Sequence, residues 1–568
     1  DTGAGADAGT DTGADGAAPG APPMATCHVA ARMAEAIAVG RVESVFVTVA
    51  RDRIEVRAGR AAQATALTVD ASRTLLVQLV AKQNLEVDGE DRARVDLARG
   101  DVRTELVFDV RATDVGDGEL WILFRQGPDA LGQITLRPEV VAAQPARRST
   151  LQGAAEVAAA DADPAPVPTL QIFERRAGDR RTFQFTLETP DGAFVNAESP
   201  PLQGEPRAYV DAIYKEIEAR YLAHRRDLAA FQEELRAYGG QLFDELVPTG
   251  VQAALWEGRD RIRAVRVLSE EPFIPWELVH LKPPRAAGGP EAPLPDETCF
   301  LGQLGLVRWL HNRGPAARTI RIRPGHAFHV VPTYPRLSAE QDYSLPAAQE
   351  EIPFLRDRLG AAAATPEENA LRQLLRTPGA VDLFHFAGHG ECVPEATTDA
   401  RLMLAWRRDG AAMVPLYLRS SVVQQHARLV APDGNRPLVV LNACQVGRAG
   451  WQLSTIGGFA EAFVRAGAGA FVGTLWAVGD APARTFTEAL YGALLAGESL
   501  AAATRVGREA ARQGGEATWL AYVVYGHPHA TVVVERGADR AGAPIVAPPL
   551  ARFPQGAPPQ GAPAPGDG

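Results

Sequence analysis

A histidine and a cysteine each follow an apolar run in the C-terminal third of the chain. His389 lies in VDLFHFAGHG (381–390), and Cys444 ends LVVLNAC (438–444). A thiol near its ordinary pKa is mostly protonated at neutral pH, so a nucleophilic cysteine needs an adjacent base. An imidazole can take up that proton and later return it to a leaving amine. The two residues therefore predict nucleophilic catalysis by a cysteine–histidine dyad.

Taken singly, neither residue is informative, because a cysteine at a strand end is commonly a small buried apolar residue and a lone histidine is commonly structural. Their shared setting changes the interpretation. Each follows a continuously apolar predicted strand, and open α/β sheets bind ligands at the carboxyl ends of their strands. The glycines beside His389 allow a substrate backbone to approach closely. The backbone N–H groups of Gly390 and Cys444 are then candidates for an oxyanion hole.

A metal site is the alternative interpretation of the same stretch. His385, His389 and Cys392 have the spacing H-x3-H-x2-C, which is formally compatible with zinc. However, His385 lies in the middle of a predicted strand between Phe384 and Phe386. A neutral core histidine with satisfied hydrogen bonds is favoured there. We therefore expect no metal and no other cofactor.

Length and composition restrict the class of protein. A chain of 568 residues is too long for one hydrophobic core and predicts two or three domains. Its 58 basic and 69 acidic side chains give a net charge of −11, which argues against nucleic acid as the main partner. The four cysteines show no CxxC spacing, and no run approaches the roughly 18 apolar residues of a membrane helix. These features favour a cytoplasmic protein without a membrane partner.

The pattern of hydrophobicity changes along the chain. Short alternating apolar runs between glycine-containing turns predict an antiparallel, Ig-like β-sandwich, and later alternating strands and helices predict a mainly parallel sheet flanked by helices. The predicted divisions are a disordered N-terminus with a short helix (1–40), the sandwich (41–143), a linker (144–167), an upstream α/β half (168–320), a catalytic α/β half (321–532) and a disordered Pro/Gly-rich tail (533–568).

Three predicted elements are specific enough to be checked individually. They are an alanine-rich helix over 24–40 that ends at Gly40, a long polar helix over 207–238, and a short strand at 402–404. The sandwich contains no catalytic constellation, so it is interpreted as a binding or regulatory module or, alternatively, as a structural spacer.

Four motifs in the last block resemble the CHAT branch of the caspase-like peptidases, which are relatives of caspases and separase. The motifs FHFAGHG, LVVLNACQVG, GGFAEAFVRAGAGAFVGTLWAVGD and WLAYVVYGHP cover about residues 325–530, in the order and spacing of the family. A weaker motif, VLSEEPFIPWELVHL at 267–281, extends the resemblance upstream, so that the whole domain spans 168–532. The resemblance implies a caspase-like α/β fold.

The cysteine motif keeps only part of the usual caspase pattern, Gln-Ala-Cys-X-Gly. Asn442 replaces the glutamine, and Val446 is inserted before Gly447. The distance along the chain is closer to the pattern, because Cys444 follows His389 by 55 positions and a caspase cysteine follows its histidine by about 50.

The resemblance implies hydrolysis of a peptide bond without a metal. Cys444 attacks, His389 acts as general acid and base, and the amides of Gly390 and Cys444 form the oxyanion hole. The segment TLWAVGD (474–480) is similar to the separase stretch whose aspartate meets a P1 arginine, so Asp480 is the candidate for the floor of a basic P1 pocket. The alternative is that Asp480 only caps the helix that begins near Pro482.

These implications define an expected function. The chain is expected to be a thiol protease that performs regulated limited proteolysis of a protein substrate after a basic P1 residue, in bacterial defence or stress signalling. A regulatory protein or effector is expected to act through the sandwich. The rival expectations are a non-enzymatic scaffold that keeps the fold as an interaction module, and a cysteine hydrolase of a non-peptide acyl bond.

Overall fold

The structure is a computed structural model. It describes residues 24–52, 54, 65–98, 103–127, 129–143, 150–153, 167–202, 212–213, 216–217, 219–220, 223–224, 227–270, 274–284, 293–295, 297–311, 313–336, 342–393, 396–409, 412–443, 455–476, 478–513 and 517–535. Most of the predicted disorder at the two ends falls on residues 1–23 and 536–568, which lie outside these ranges. The predicted disordered tail (533–568) begins too early, because Val533 and Val534 belong to a strand (Thr531–Val534).

The N-terminal region is built entirely of strands where it is described. They are β1 (Met24–Ala34), β2 (Ala36–Ala38), β3 (Val42–Ala50), β4 (Thr65–Asp70), β5 (Thr74–Gln83), β6 (Leu85–Val87), β7 (Arg92–Asp96), β8 (Arg103–Ala112), β9 (Gly116–Asp117), β10 (Glu119–Gln126), β11 (Asp129–Leu136), β12 (Glu139–Val141) and β13 (Thr150–Gly153). One sheet has the order β13-β1-β3-β8-β6. Across a shared apolar core, β7, β5, β10 and β11 form a layer that continues, through β5, into the large sheet of the C-terminal region. The all-β prediction is confirmed, whereas an Ig-like topology stays a prediction.

The predicted helix over 24–40 is wrong. This stretch forms β1 and β2, and β1 pairs with β3, β4 and β13. Cys27, Val29, Ala31 and Met33 are buried at every second position. Alanine favours a helix locally, but burial of this alternating face against the facing layer of strands outweighs that weak preference. Strand β13 falls inside the stretch 144–167 that was predicted to be a linker.

The C-terminal region alternates strands and helices. Its strands are β14 (Thr169–Ala177), β15 (Arg180–Glu188), β16 (Phe194–Glu198), β17 (Val265–Ser269), β18 (Leu306–Leu310), β19 (Thr319–Ile322), β20 (Ala327–Val330), β21 (Ala362–Ala363), β22 (Leu383–Gly388), β23 (Gly390–Val393), β24 (Ala396–Asp409), β25 (Ala412–Arg419), β26 (Leu438–Ala443), β27 (Ala470–Thr474), β28 (Tyr522–Tyr525) and β29 (Thr531–Val534). Its helices are α1 (Leu228–Leu246), α2 (Thr249–Gly258), α3 (Pro346–Leu359), α4 (Glu368–Arg376), α5 (Ser420–His426), α6 (Thr455–Ala466), α7 (Asp480–Leu495) and α8 (Leu500–Gln513). The α/β prediction is confirmed.

The central sheet of this region consists of two halves that run in opposite directions. Its order is β14-β17-β18-β28-β27-β26-β22-β20. Neighbours within each half are parallel, and the junction between β28 and β27 is antiparallel. The sheet is therefore mixed, although most neighbouring pairs are parallel as expected. The carboxyl ends of β22 and β26 lie at one edge, and those of β17 and β18 lie at the opposite edge.

Two other predicted elements differ from the structure. The long helix predicted over 207–238 has its continuous part at Leu228–Leu246, where Asp227 accepts a hydrogen bond from the N–H of Ala230 and caps the N-terminus. The short strand predicted at 402–404 is part of β24, which pairs with β25 in a long hairpin. No described helix combines the length and the apolar character needed to cross a bilayer.

The β-sandwich is hydrogen-bonded to the central sheet, because Gln83 of β5 pairs with Arg176 of β14 and the N–H of Asn84 donates to the carbonyl of Arg176 at 2.9 Å. The indole of Trp121 stacks on His311 at 5.3 Å, with the ammonium of Lys82 4.6 Å from the indole centroid. Lys82 also forms an ion pair with Glu270. Because Glu270 follows β17 and His311 follows β18, this contact lies at the edge of the sheet opposite the ends of β22 and β26.

A buried ion cluster joins the upstream half to the segment that follows α8. Arg308 donates from Nε to Oε1 of Glu277 at 2.9 Å, and its Nη2 pairs with Oε2. The guanidinium of Arg508 lies 3.9 Å from Glu277 and donates to the carbonyl of Tyr522 at 2.8 Å. Burial lowers the pKa of Arg508 to about 10. Glu277 thus balances two buried guanidinium groups.

Replacement of Glu277 by alanine should destabilise the fold strongly, because it leaves the buried guanidiniums of Arg308 and Arg508 without their carboxylate. We expect a loss of about 3–5 kcal/mol in the free energy of unfolding, measured by urea denaturation. Glu233→Ala is the matched control, since Glu233 forms an exposed pair with Arg236 that is worth about 0–1 kcal/mol. Equal stability of the two variants would contradict a stabilising role for the buried cluster.

Candidate active site

His389 directly follows β22 at the edge of the sheet where β26 also ends. The two strands are parallel and in register, with Gly388 opposite Ala443 as their last pair. Adjacent strands lie about 4.8 Å apart, so the two chain ends leave the sheet side by side. The side chain of His389 is buried. Cys444, which the sequence places after Ala443, lies outside the described residues.

The imidazole of His389 is oriented by a backbone carbonyl. Its Nε2 lies 2.8 Å from the carbonyl oxygen of Tyr343. A carbonyl can only accept, so Nε2 carries the proton in the neutral ring and Nδ1 carries the lone pair. The ring of Tyr343 also meets the imidazole edge-on at 5.9 Å. The base-capable nitrogen of His389 is therefore Nδ1.

The backbone at His389 is held by a tyrosine hydroxyl. The Tyr334 hydroxyl accepts from the N–H of His389 at 3.1 Å and donates to the carbonyl of Met403 at 2.7 Å. Gly388 makes room for this bridge, because a Cβ at that position would lie 2.3 Å from the hydroxyl oxygen. The glycine is thus needed for close approach of the tyrosine, which is a structural reason separate from the substrate access inferred from the sequence.

Gly390 begins the edge strand β23. Its register partner on β24 is Leu402, and the N–H of Met403 donates to the carbonyl of His389 at 2.9 Å. This pattern makes Gly390 and Leu402 a non-hydrogen-bonded pair, in which the N–H of Gly390 is directed away from β24. The geometry leaves that N–H outside the β23–β24 ladder.

Asp480 contacts a different helix from the one suggested by the sequence. It is the first residue of α7, whose N-cap is Gly479 without a side-chain capping bond. Its carboxylate instead accepts from the N–H groups of Ala347 at 2.7 Å and Ala348 at 3.1 Å. These amides belong to the first turn of α3, so Asp480 caps the N-terminus of α3 from outside. The interpretation of Asp480 as the cap of its own helix is wrong.

Sequence reasoning missed a buried polar network beneath the site. Glu351 of α3 accepts from Nδ2 of Asn442 at 2.7 Å, and Oδ1 of Asn442 accepts from the Tyr522 hydroxyl at 2.7 Å. Oε2 of Glu351 lies 3.0 Å from Nε2 of His385. Nδ1 of His385 lies 3.1 Å from the Tyr491 hydroxyl.

Burial of this network changes the proton affinity of its members. Desolvation raises the pKa of Glu351, although His385 and Asn442 act against the rise. Burial also raises the pKa of Tyr491. One sequence signal could have exposed the network: Glu351 occupies the apolar stripe of α3 together with Ala348, Leu355 and Leu359.

The two cysteines whose side chains the structure describes are poor candidates for a nucleophile. Burial raises the pKa of both Cys27 and Cys299 to about 11, which makes them poor nucleophiles. The side chain of Cys392 lies outside the described residues. Among the described side chains, no group of three or more histidine, cysteine, aspartate or glutamate residues could hold a metal ion.

Comparison with protein families identifies the region that contains this site. Residues 315–529 match the CHAT domain family. The resemblance drawn from the four motifs is thereby confirmed, and the mixed sheet together with the CHAT match supports a caspase-like α/β domain. Upstream of the CHAT region, residues 31–136 match a domain of unknown function, DUF7363. No curated protein matches the chain.

Solved structures similar to the chain include a separase and a gingipain. A Saccharomyces cerevisiae separase–securin complex aligns with 65% of this chain and 30% of the separase chain, at 12% identity and a TM-score of 0.37. The Arg-specific cysteine proteinase gingipain R aligns with 53% of this chain and 68% of its own, at 12% identity and a TM-score of 0.29. The assignment of the CHAT region rests on the family match and not on these distant likenesses.

Replacing Tyr334 by phenylalanine tests the bridge that holds the backbone of His389. The buried N–H of His389 then loses its acceptor, and we expect the free energy of unfolding to fall by about 1–3 kcal/mol, measured by urea denaturation. Tyr343→Phe is the control, because its contacts with His389 use the carbonyl and the ring, which phenylalanine retains. A loss in the control as large as that in Tyr334→Phe would refute the assignment.

Proposed function

We propose that this chain is a cysteine endopeptidase whose nucleophile is Cys444 and whose general acid and base is His389. The observation that carries the proposal is the register of β22 and β26, which ends with Gly388 opposite Ala443. His389 and Cys444 are the residues that directly follow these two strands in the sequence. One peptide unit separates His389 from Gly388 and Cys444 from Ala443, so each Cα lies about 3.8 Å from the Cα of the preceding residue. The CHAT match of residues 315–529 supports the same chemistry.

The geometry around His389 suggests how the reaction proceeds. The thiol of Cys444 transfers its proton to Nδ1 of His389, and the sulfur attacks the carbonyl carbon of the scissile bond. The N–H groups of Gly390 and Cys444 are the proposed donors to the oxyanion. Nδ1 then protonates the amine as the C–N bond breaks, which leaves a thioester. Water then gives a proton to Nδ1 as its oxygen attacks the thioester carbon. The C–S bond breaks to release the carboxylic acid, and Nδ1 returns the proton to the sulfur.

The carbonyl of Tyr343 contributes to this scheme through orientation. It holds the Nε2–H of the ring, so the imidazole stays in the tautomer that can accept a proton at Nδ1. The same carbonyl can stabilise the imidazolium that forms after proton transfer. A third side chain is therefore not required to orient the base.

The proposal predicts selective reactivity of one thiol. Incubating the full chain with a peptidyl acyloxymethyl ketone that carries arginine at P1 should label Cys444, as identified by peptide mass spectrometry. Cys444→Ala and His389→Ala should each reduce kcat/KM on a cleaved library peptide by at least about 1000-fold, because the dyad works only when both residues are present.

Cys392→Ala is the matched control and should retain both labelling and cleavage. Equal cleavage by wild type and Cys444→Ala would overturn the proposal. Candidate protein substrates that remain intact with both forms would favour a non-enzymatic scaffold. Hydrolysis of thioesters or esters without cleavage of any peptide would favour a hydrolase of non-peptide acyl bonds.

A basic P1 residue is the proposed specificity, with Asp480 as the acidic partner. The carboxylate already accepts two backbone N–H bonds from α3, but an ionised carboxylate has about four acceptor positions. Asp480 is only partly buried, so its carboxylate can approach a substrate while it caps the helix. A guanidinium could share it through charge-assisted hydrogen bonds.

Asp480→Asn separates the two roles of this side chain. Asparagine keeps an acceptor oxygen for the amides of α3 but loses the charge. We expect kcat/KM for P1-arginine peptides to fall by about 10- to 100-fold, the effect of losing a charged hydrogen bond. Peptides with norleucine at P1 should be cleaved as by wild type. A uniform loss for both peptides would show that Asp480 acts only through the helix.

The biological role that we propose is regulated limited proteolysis of a protein substrate in bacterial defence or stress signalling. The sandwich contacts the sheet through Trp121, His311 and Glu270, at the edge opposite His389. A regulator that binds the sandwich would therefore act through the sheet and not by covering the proposed dyad.

A further inference from the structure

Glu351 is a buried carboxylate whose presence the packing of α3 alone does not explain. It is 1% exposed and lies on the apolar stripe of the helix. A buried charged group is costly, and an apolar residue in a fully apolar setting is commonly as stable or more so. The side chain of Glu351 nevertheless contacts both β22 and β26, the two strands that end immediately before His389 and Cys444.

The two oxygens of Glu351 contact one residue on each of these strands. Oε1 accepts from Asn442, the next-to-last residue of β26, and Oε2 faces His385 of β22 at 3.0 Å. His385 is register partner to Val440, two residues before Asn442 on the neighbouring strand. The carboxylate therefore reaches from the register pair His385–Val440 to the next pair on the same face, Ala387–Asn442. Side chains alternate along a strand, so Asn442 lies on the same face as His385.

The far ends of the network are fixed as well. The amide of Asn442 has one orientation, because its Oδ1 accepts from the Tyr522 hydroxyl at 2.7 Å while its Nδ2 donates to Glu351. His385 is held on its other side by Tyr491 at 3.1 Å. Asn442 is bonded at both ends of its amide and His385 at Nδ1, and such bonds restrict rotation of the two buried side chains.

The helix that carries Glu351 is itself tied to the other residues of the proposed site. Its N-terminus is capped by Asp480, and Tyr343, shortly before the helix, holds the imidazole of His389 through its carbonyl. One segment, 343–351, therefore contacts His389, Asp480 and the end of β26. A shift of this segment would move all three contacts together.

We propose that Glu351 is a positioning residue that clamps the carboxyl ends of β22 and β26 through His385 and Asn442. This inference rests on the proposed function for its catalytic consequence, but the clamp itself can be measured without proteolysis. Glu351 does not touch the reacting atoms in this scheme. It sets where the chain leaves β26, two residues before the nucleophile.

The test compares Glu351→Leu, Glu351→Gln and Leu355→Ala in the full chain. Leucine removes the acceptor of Asn442, whereas glutamine keeps an acceptor oxygen there. Leu355 is a fully buried residue of the same helix, and its truncation weakens packing without touching the network. Hydrogen–deuterium exchange measured by mass spectrometry should show at least tenfold faster exchange at 383–388 and 438–443 in Glu351→Leu, and wild-type exchange in Glu351→Gln.

The kinetic arm uses a peptide that the wild type cleaves, at a temperature well below the unfolding midpoint of every variant. Glu351→Leu should lower kcat by at least tenfold with KM nearly unchanged. Glu351→Gln should stay within about fivefold of wild type, and Leu355→Ala should keep wild-type kcat despite a lower midpoint. This pattern separates positioning from a general loss of stability.

The two arms distinguish failure of the clamp from failure of the proposed function. Unchanged exchange at both strand ends in Glu351→Leu, or the same acceleration in Leu355→Ala, overturns the clamp whatever the activity. Accelerated exchange in Glu351→Leu with no peptide cleaved by the wild type, and no labelling of Cys444, supports the clamp and overturns the endopeptidase. Wild-type kcat in Glu351→Leu overturns the catalytic consequence of the clamp.

Discussion

The parallel pairing of β22 with β26 is the constraint on which the site depends. The hydrogen-bond ladder keeps Gly388 opposite Ala443, and both strands are buried on their two faces. A shift of one residue would turn every side chain of one strand to the other face and would take His385 or Asn442 away from Glu351. The site is therefore positioned by the register of the sheet and refined by the loops.

Residues 343–351, which include the start of α3, make several of the polar contacts around this ladder. The carbonyl of Tyr343 selects the tautomer of His389, the helix N-terminus is capped by Asp480, and the helix directs Glu351 toward Asn442. Each contact joins groups far apart in sequence. In the interior such contacts are strong when they are complete, and a missing partner leaves a costly unpaired group.

Because the two half-sheets run in opposite directions, the contact with the sandwich and the proposed active site lie at opposite edges of the sheet. The sandwich contacts the upstream half through Lys82, Trp121 and His311, near the edge where β17 and β18 end. The proposed dyad lies at the other edge and in the other half. The ion cluster of Glu277 with Arg308 and Arg508 links β18 to β28 within one half-sheet, since Arg508 also holds the carbonyl of Tyr522. Tyr522 in turn bonds the buried network through Asn442.

The sequence alone determined the α/β class of the C-terminal region, the CHAT resemblance and the position of His389 at a strand end, because apolar strands and glycine turns are local signals. Only the tertiary structure decided that 24–34 is a strand and that Asp480 caps α3. It also revealed the contacts of Glu351. Each of these outcomes depends on partners distant in the chain: β1 needs β3 and β4, and Asp480 needs the amides at 347 and 348. Local propensity cannot report such partners, since burial and pairing outweigh it.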